Sequence, residues 1–234
     1  MKRGETYQII RDREQLEAFV RFLPDLQTDE VYYVSLLARN KWIKTTGITI
    51  SSQVQLKRFQ ATKQTLVNKL EQMEVAFGAY LDKGKPVPEE ALGVYITPNP
   101  RSLTQANFTV MKELLHGAQT GQILNPYQVA LSALQTSCSR KVFFDLDIDL
   151  DFTKISTERI QQLRQAMDLP STWIRTRGGF HCLIHLQEIP KLLASKWYQQ
   201  VSALKADGIE ITMNGDNVMP LVGCIQGGFV PHFA

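Results

Sequence analysis

Lys-Val-Phe-Phe-Asp-Leu-Asp-Ile-Asp-Leu-Asp-Phe, residues 141–152, decides the fold. Its even positions are Val142, Phe144, Leu146, Ile148, Leu150 and Phe152, and its odd positions from 145 on are Asp145, Asp147, Asp149 and Asp151. A period of two is that of a β-strand, which sends alternate side chains to opposite faces. One face is therefore apolar and the other carries a row of carboxylates. Like charges side by side on a strand repel, and folding does not require them, so the row asks for a positive partner. A divalent metal is the natural candidate. Mg²⁺ takes oxygen ligands, needs only one or two carboxylates, and fills its remaining positions with water and substrate phosphates. The plain alternative is a solvated acidic face.

Downstream of this strand the elements follow a regular order. A helix is predicted over about residues 157–167, a Pro170 turn leads to a short strand at 173–176, and Gly178-Gly179 connects tightly to a strand at 180–186. Pro190 opens a helix to about Ala206, and residues 209–213 read as a strand. The order β-α-β-β-α-β is that of ferredoxin-like and RNA-recognition-motif (RRM) sheets, with helices over one face and the other face open. The carboxylates belong on the open face.

Upstream, Leu16, Phe19, Val20 and Leu23 make a helix closed by Pro24, and residues 31–37 make a strand leading to Ala38, Arg39, Asn40, Lys41 and Trp42. Leu56, Phe59, Leu66, Leu70, Met73 and Phe77 recur in helical steps and predict one long helix from Ser52 to Leu81. A turn at 83–88, a buried strand at 92–97, a helix capped by Ser102 and another starting at Pro126 complete this part. The fold class is α+β: an N-terminal α/β subdomain, residues 1–140, packed with an RRM-like sheet subdomain, residues 141–234.

With 234 residues and 44% hydrophobic content, the chain can bury a substantial core. No apolar run is long enough to span a bilayer and the N-terminus has no apolar signal segment, so a cytoplasmic protein with no membrane partner is expected. Cys138, Cys182 and Cys224 are widely spaced and odd in number, against a disulfide framework or a zinc site. Net charge is only +3, but residues 31–70 contain no acid while carrying Arg39, Lys41, Lys44, Lys57, Arg58, Lys63 and Lys69. Such a segment makes a local positive field suited to phosphates.

Two further clusters bear on the acidic strand. In Thr176-Arg177-Gly178-Gly179-Phe180-His181, strand alternation sends His181 to the face of the aspartates, and the glycines allow backbone to approach a phosphate with Arg177 or Thr176 as added donors. Asp216, in Asn214-Gly215-Asp216-Asn217, follows the last strand and can return a third carboxylate, although these are also good turn residues. Asp207 and Glu210 are rival third acids.

Phe143-Phe144-Asp145-Leu146-Asp147, then Gly178-Gly179-Phe180-His181, then Asp216 before Met219-Pro220-Leu221-Val222-Gly223-Cys224, together resemble the catalytic core of the archaeo-eukaryotic primase superfamily, which includes primase-polymerases of plasmids, phages and other mobile elements. Val222 and Cys224 depart from the Pro-Gly-Thr-type segment of some members, and Arg177-Gly178 from the usual approach to the histidine. The resemblance covers residues 141–234 and implies a template-dependent nucleotidyltransferase, a DNA primase or primase-polymerase. Asp145, Asp147 and Asp216 would hold two Mg²⁺ or Mn²⁺ ions, with no zinc. His181, Arg177, Thr176, Arg39 and Lys41 would bind the NTP or dNTP, and single-stranded DNA would be the template. A helicase or other accessory module is a further implied partner; the chain stops soon after the core, and no such module is expected within it. A metal-dependent nuclease and a non-catalytic RRM-like nucleic-acid-binding module are the alternatives.

Overall fold

The computed structural model describes residues 6–43, 48–151, 153–167, 169–193, 196–202 and 209–234. Lys44, Phe152, Ala206 and Asp207 lie outside the described residues. Helix α1 (Arg13–Phe22) starts at Asp12, whose carboxylate accepts from the Gln15 amide at 3.0 Å, and it buries Leu16 and Phe19. Strand β1 (Glu30–Arg39) follows, then β2 (Gln53–Ala61), α2 (Lys63–Glu71), the short hairpin β3 (Leu81–Asp82) and β4 (Lys85–Pro86), β5 (Leu92–Ile96) and β6 (Arg101–Ser102). Helices α3 (Leu103–Thr120) and α4 (Pro126–Thr136) are capped by the side chains of Ser102 and Asn125.

The acidic stretch forms β7 (Phe143–Leu150), followed by α5 (Thr157–Met167), β8 (Ser171–Arg175), β9 (Gly179–His185), α6 (Trp197–Ser202) and β10 (Ile209–Gly215). Two short strands close the chain, β11 (Met219–Pro220) and β12 (His232–Phe233). The protein is thus mixed α+β with antiparallel sheets. Among the described residues no helix is long and apolar enough to cross a membrane, and the three cysteines are free.

One sheet has the order β11-β5-β1-β2, with β6 also pairing β1, and all these pairings are antiparallel. β1 is its centre and is buried on both faces. Tyr32, Val34, Leu36 and Ala38 join the main core with Leu16 and Phe19 of α1 and Leu66 and Leu70 of α2. Val31 and Tyr33, on the opposite face, pack with Ala106 of α3 and Ala133 and Leu134 of α4. The second sheet has the order β10-β7-β9-β8-β12, again antiparallel throughout. Leu146 and Ile148 of β7 share a core with Leu163 and Met167 of α5 and Val201 of α6.

Three expectations change. The single helix over residues 52–81 is instead β2 followed by α2. Val54 and Leu56 alternate with Gln53, Gln55 and Lys57 as a strand requires, and a register shift opposite Leu36 and Leu37 produces the helix-like step from Leu56 to Phe59. The helix expected from Pro190 does not start there, because Pro190 opens a turn in which the Leu193 amide bonds the Pro190 carbonyl at 2.8 Å; α6 covers Trp197–Ser202, and the expected end near Ala206 lies outside the described residues. The sheet face expected to be open is partly closed. Leu183 and Ile174 on that face are fully buried in the main core, a contribution of about 1.5–3 kcal/mol for each side chain.

The two sheets are also stitched together along the chain. After β10 the chain returns to the first sheet, where β11 pairs β5 and Leu221, Val222, Cys224 and Ile225 enter the main core. It then crosses back, and β12 adds to β8.

Candidate active site

A cavity of about 440 Å³ lies between the two sheets. The second sheet supplies Asp147 and Asp149 from β7 and His181 from β9, with Thr176, Arg177 and Gly178 from the loop before β9. The first unit supplies Arg39 at the end of β1, Lys41 and Trp42 just beyond it, and Tyr95 of β5. The C-terminal return adds Asn217, Val218, Pro220 and Gln226.

Strand register explains the acidic and imidazole groups. Asp147 stands directly opposite His181, and Asp149 opposite Gly179, so these side chains share a face. The Asp145 carboxylate is fully buried and accepts from His181 Nδ1, with its oxygens at 2.9 and 3.1 Å. The other imidazole nitrogen, Nε2, lies 3.5 Å from Asp147 Oδ1. Burial pushes the imidazole toward its neutral form, but the charge and hydrogen bond of Asp145, with the charges of Asp147 and Asp149, outweigh it and raise its pKa. Gly179 is needed because β9 passes so close to β7: an added Cβ would sit 1.8 Å from the Ile148 carbonyl oxygen.

The cationic wall is organised around one indole. The Arg39 guanidinium lies 5.6 Å from the Trp42 ring centroid and 5.0 Å from that of Tyr95, while Arg177 lies 5.9 Å from Trp42. Distances of this size support cation–π attraction. Arg177 is further fixed by its backbone amide, which donates to Gln226 Oε1 at 2.9 Å, and by its guanidinium on the Gly227 carbonyl. Gly227, at φ 59, has no room for a Cβ because the Trp42 ring occupies that space.

Of the residues expected at the site, Asp147, His181, Arg177, Thr176, Arg39 and Lys41 meet in this cavity. Asp145 lies beneath it, bonded to His181. Asp216 does not join them. Its carboxylate is held by both terminal nitrogens of Arg101, at 2.6 and 2.9 Å, and by Asn99 Nδ2 at 3.0 Å. Arg101 is 1% exposed, and a buried guanidinium demands a counter-ion. Asn99 also bonds the backbone of Val142 and Phe143, tying Asp216 to the start of β7. Among the described residues no three His, Cys, Asp or Glu side chains are grouped to hold a metal ion, so the expected trio of Asp145, Asp147 and Asp216 is not assembled. Of the rival acids, Glu210 pairs with Asp149 across the sheet and is exposed.

Trp42, Tyr95 and Gln226 were not foreseen at the site. Trp42 read as part of the segment beyond one strand and Tyr95 as the middle of another. Gln226 carried a usable signal, since it is a polar residue inside an apolar, glycine-rich run, and such a residue is buried only where it has partners. Comparison with family models, with curated proteins and with solved structures found no match for this chain.

Proposed function

We propose that the chain is a template-dependent nucleotidyltransferase of the archaeo-eukaryotic primase type, with the antiparallel order β10-β7-β9-β8 serving as an RRM-like catalytic sheet. The observation that carries this reading is the cavity itself, where two carboxylates of one strand and the histidine of the next face three cations, Arg39, Lys41 and Arg177. Its volume of about 440 Å³ falls within the ~300–1,000 Å³ usual for small-ligand sites.

A nucleoside triphosphate brings several negative charges, and these have partners here. His181, aligned through Nδ1 by Asp145, presents Nε2 to a phosphate oxygen. Its raised pKa favours the charged imidazolium that such a contact uses. Arg177 and Arg39, braced on Trp42, bind the remaining phosphate oxygens, and Thr176 closes that end.

The residues present fit a hard divalent cation, because the cavity-facing carboxylates are oxygen donors and phosphates complete such a site. Asp147 and Asp149, the two carboxylates that line the cavity, would hold Mg²⁺ or Mn²⁺. Bound there, the ion supplies charge stabilisation for attack of a 3′ hydroxyl on the α-phosphate. Asp147 orients the attacking end of the strand, while the cationic wall holds the diphosphate leaving group.

The test is incubation with single-stranded DNA, Mg²⁺ or Mn²⁺ and labelled NTPs or dNTPs, with the products resolved by length. Longer or newly made strands are expected from the wild type and none from Asp147→Asn. Shortened DNA without synthesis would replace this reading with a nuclease, and synthesis at the wild-type rate by Asp147→Asn would overturn the assignment.

A further inference from the structure

A second groove, of about 370 Å³, opens between β2 and α4. Lys57, Arg58 and Gln55 line one side of it and Tyr127 and Gln128 the other, with no acidic residue in the lining. Of the cations in the acid-free stretch of sequence, Lys57 and Arg58 line this groove, while Arg39 and Lys41 line the cavity. Arg58 is held in place by donating to Ser132 Oγ at 3.1 Å and to the side-chain amide oxygen of Gln128, Oε1, both on α4. Tyr127 is 63% exposed, a large aromatic ring left in solvent at the mouth of the groove. An adjoining groove that also contains Tyr127 carries Lys69 and Gln60 and again no acid.

One strand runs from the cavity to the groove. Gln53 of β2 pairs with Arg39, a cavity residue, and Arg58 lies five positions farther along the same strand. Because the register shift lies between them, their partners on β1, Arg39 and Ser35, are four positions apart, a separation of about 14 Å at the rise of a β-strand. A strand of nucleic acid whose end reaches the cavity can therefore run along β2 and stack a base on Tyr127, while its phosphates meet Lys57 and Arg58. Positive side chains that track a backbone, beside an exposed ring that accepts any base, are the combination used for single strands.

We infer that the β2–α4 groove binds single-stranded nucleic acid leading into the cavity, an assignment that rests on the transferase reading for its direction but not for the binding itself. The test uses the full chain, a fluorescein-labelled oligothymidylate and chelator in the buffer, with anisotropy followed across a salt series. Lys57→Gln/Arg58→Gln removes two phosphate contacts and makes the slope of log affinity against log salt shallower by roughly 1.4. Tyr127→Ala weakens binding roughly 5- to 150-fold with the slope unchanged, and Tyr127→Phe keeps wild-type affinity. Melting temperatures matching the wild type establish that these surface variants fold.

Wild-type affinity and slope in both the Lys57/Arg58 and Tyr127→Ala variants would overturn the groove. So would displacement of the oligonucleotide by poly-glutamate together with a silent Tyr127→Ala, which would mark the surface as a docking place for acidic protein. The two readings fail separately. Groove variants that lose the oligonucleotide in a protein that makes no product leave the groove standing and remove the transferase. Synthesis by a protein whose groove variants bind normally does the reverse.

Discussion

Asp216→Asn separates a structural carboxylate from a metal ligand. The substitution keeps the shape of the side chain but removes the charge facing Arg101, whose guanidinium is 1% exposed and bonded to both Asp216 oxygens at 2.6 and 2.9 Å. Breaking a buried ion pair from one side leaves an uncompensated charge and costs about 3–5 kcal/mol. The Asp216 side chain is 15% exposed, so water relieves some of this and the lower end, about 3 kcal/mol, is expected. For 234 residues the unfolding entropy is about 0.5 kcal/mol/K, so the melting temperature should fall by about 6 °C. The assay is thermal unfolding in chelator, repeated with Mn²⁺. Arg101→Met/Asp216→Leu should recover most of the loss, because replacing a whole buried pair by apolar groups is close to neutral. Unchanged melting of Asp216→Asn in chelator, with loss only of the stabilisation that Mn²⁺ gives the wild type, would refute the structural role and return Asp216 to the metal site.

Other perturbations probe the same region. Gly179→Ala should cost at least about 1–3 kcal/mol, since its Cβ would meet the Ile148 carbonyl at 1.8 Å, whereas Gly178→Ala meets only the movable Asp149 carboxylate and should be nearly silent; urea melts of the two compare them directly. The raised pKa of His181 means that its partners' stabilisation is fully present below the ordinary value of 6.5 and is lost as pH rises through the higher folded value. In metal-free urea melts, the stability advantage of wild type over His181→Asn should therefore shrink with increasing pH. A nucleoside triphosphate entering the cavity should change the intrinsic fluorescence through Trp42, one of three tryptophans, and Trp42→Phe should abolish that change while Trp173→Phe keeps it.

Much of the second sheet was legible because its information is local. The alternation in residues 143–150 gave β7, and the spacing of Gly178-Gly179 and His181 gave a strand whose histidine falls opposite Asp147. β2 was hidden because its register shift breaks the alternation that identifies a strand. The return of Met219 and Pro220 to β5, and the bond from Asp216 to Arg101 across 115 positions of sequence, have no local periodicity at all. A partner that far away is fixed by packing, so an isolated aspartate in a turn carries no mark of the guanidinium that claims it.

The row of aspartates shows how packing divides what the strand repeats. Asp145, Asp147 and Asp149 are chemically identical and equally spaced on one face of β7, yet Asp145 is fully buried, the Asp147 side chain is 35% exposed, and Asp149 is exposed. The gradient runs along the strand, from Asp145 beside Leu183, which is buried in the main core, to Asp149 beside the Gly178-Gly179 turn. Burial forces Asp145 onto a hydrogen-bond donor, which the neighbouring strand provides as His181. Partial exposure leaves Asp147 at the cavity wall, where a charged ligand can reach it. Separate roles for the acids are therefore set by the depth to which the two sheets close on each other, which strand periodicity cannot encode.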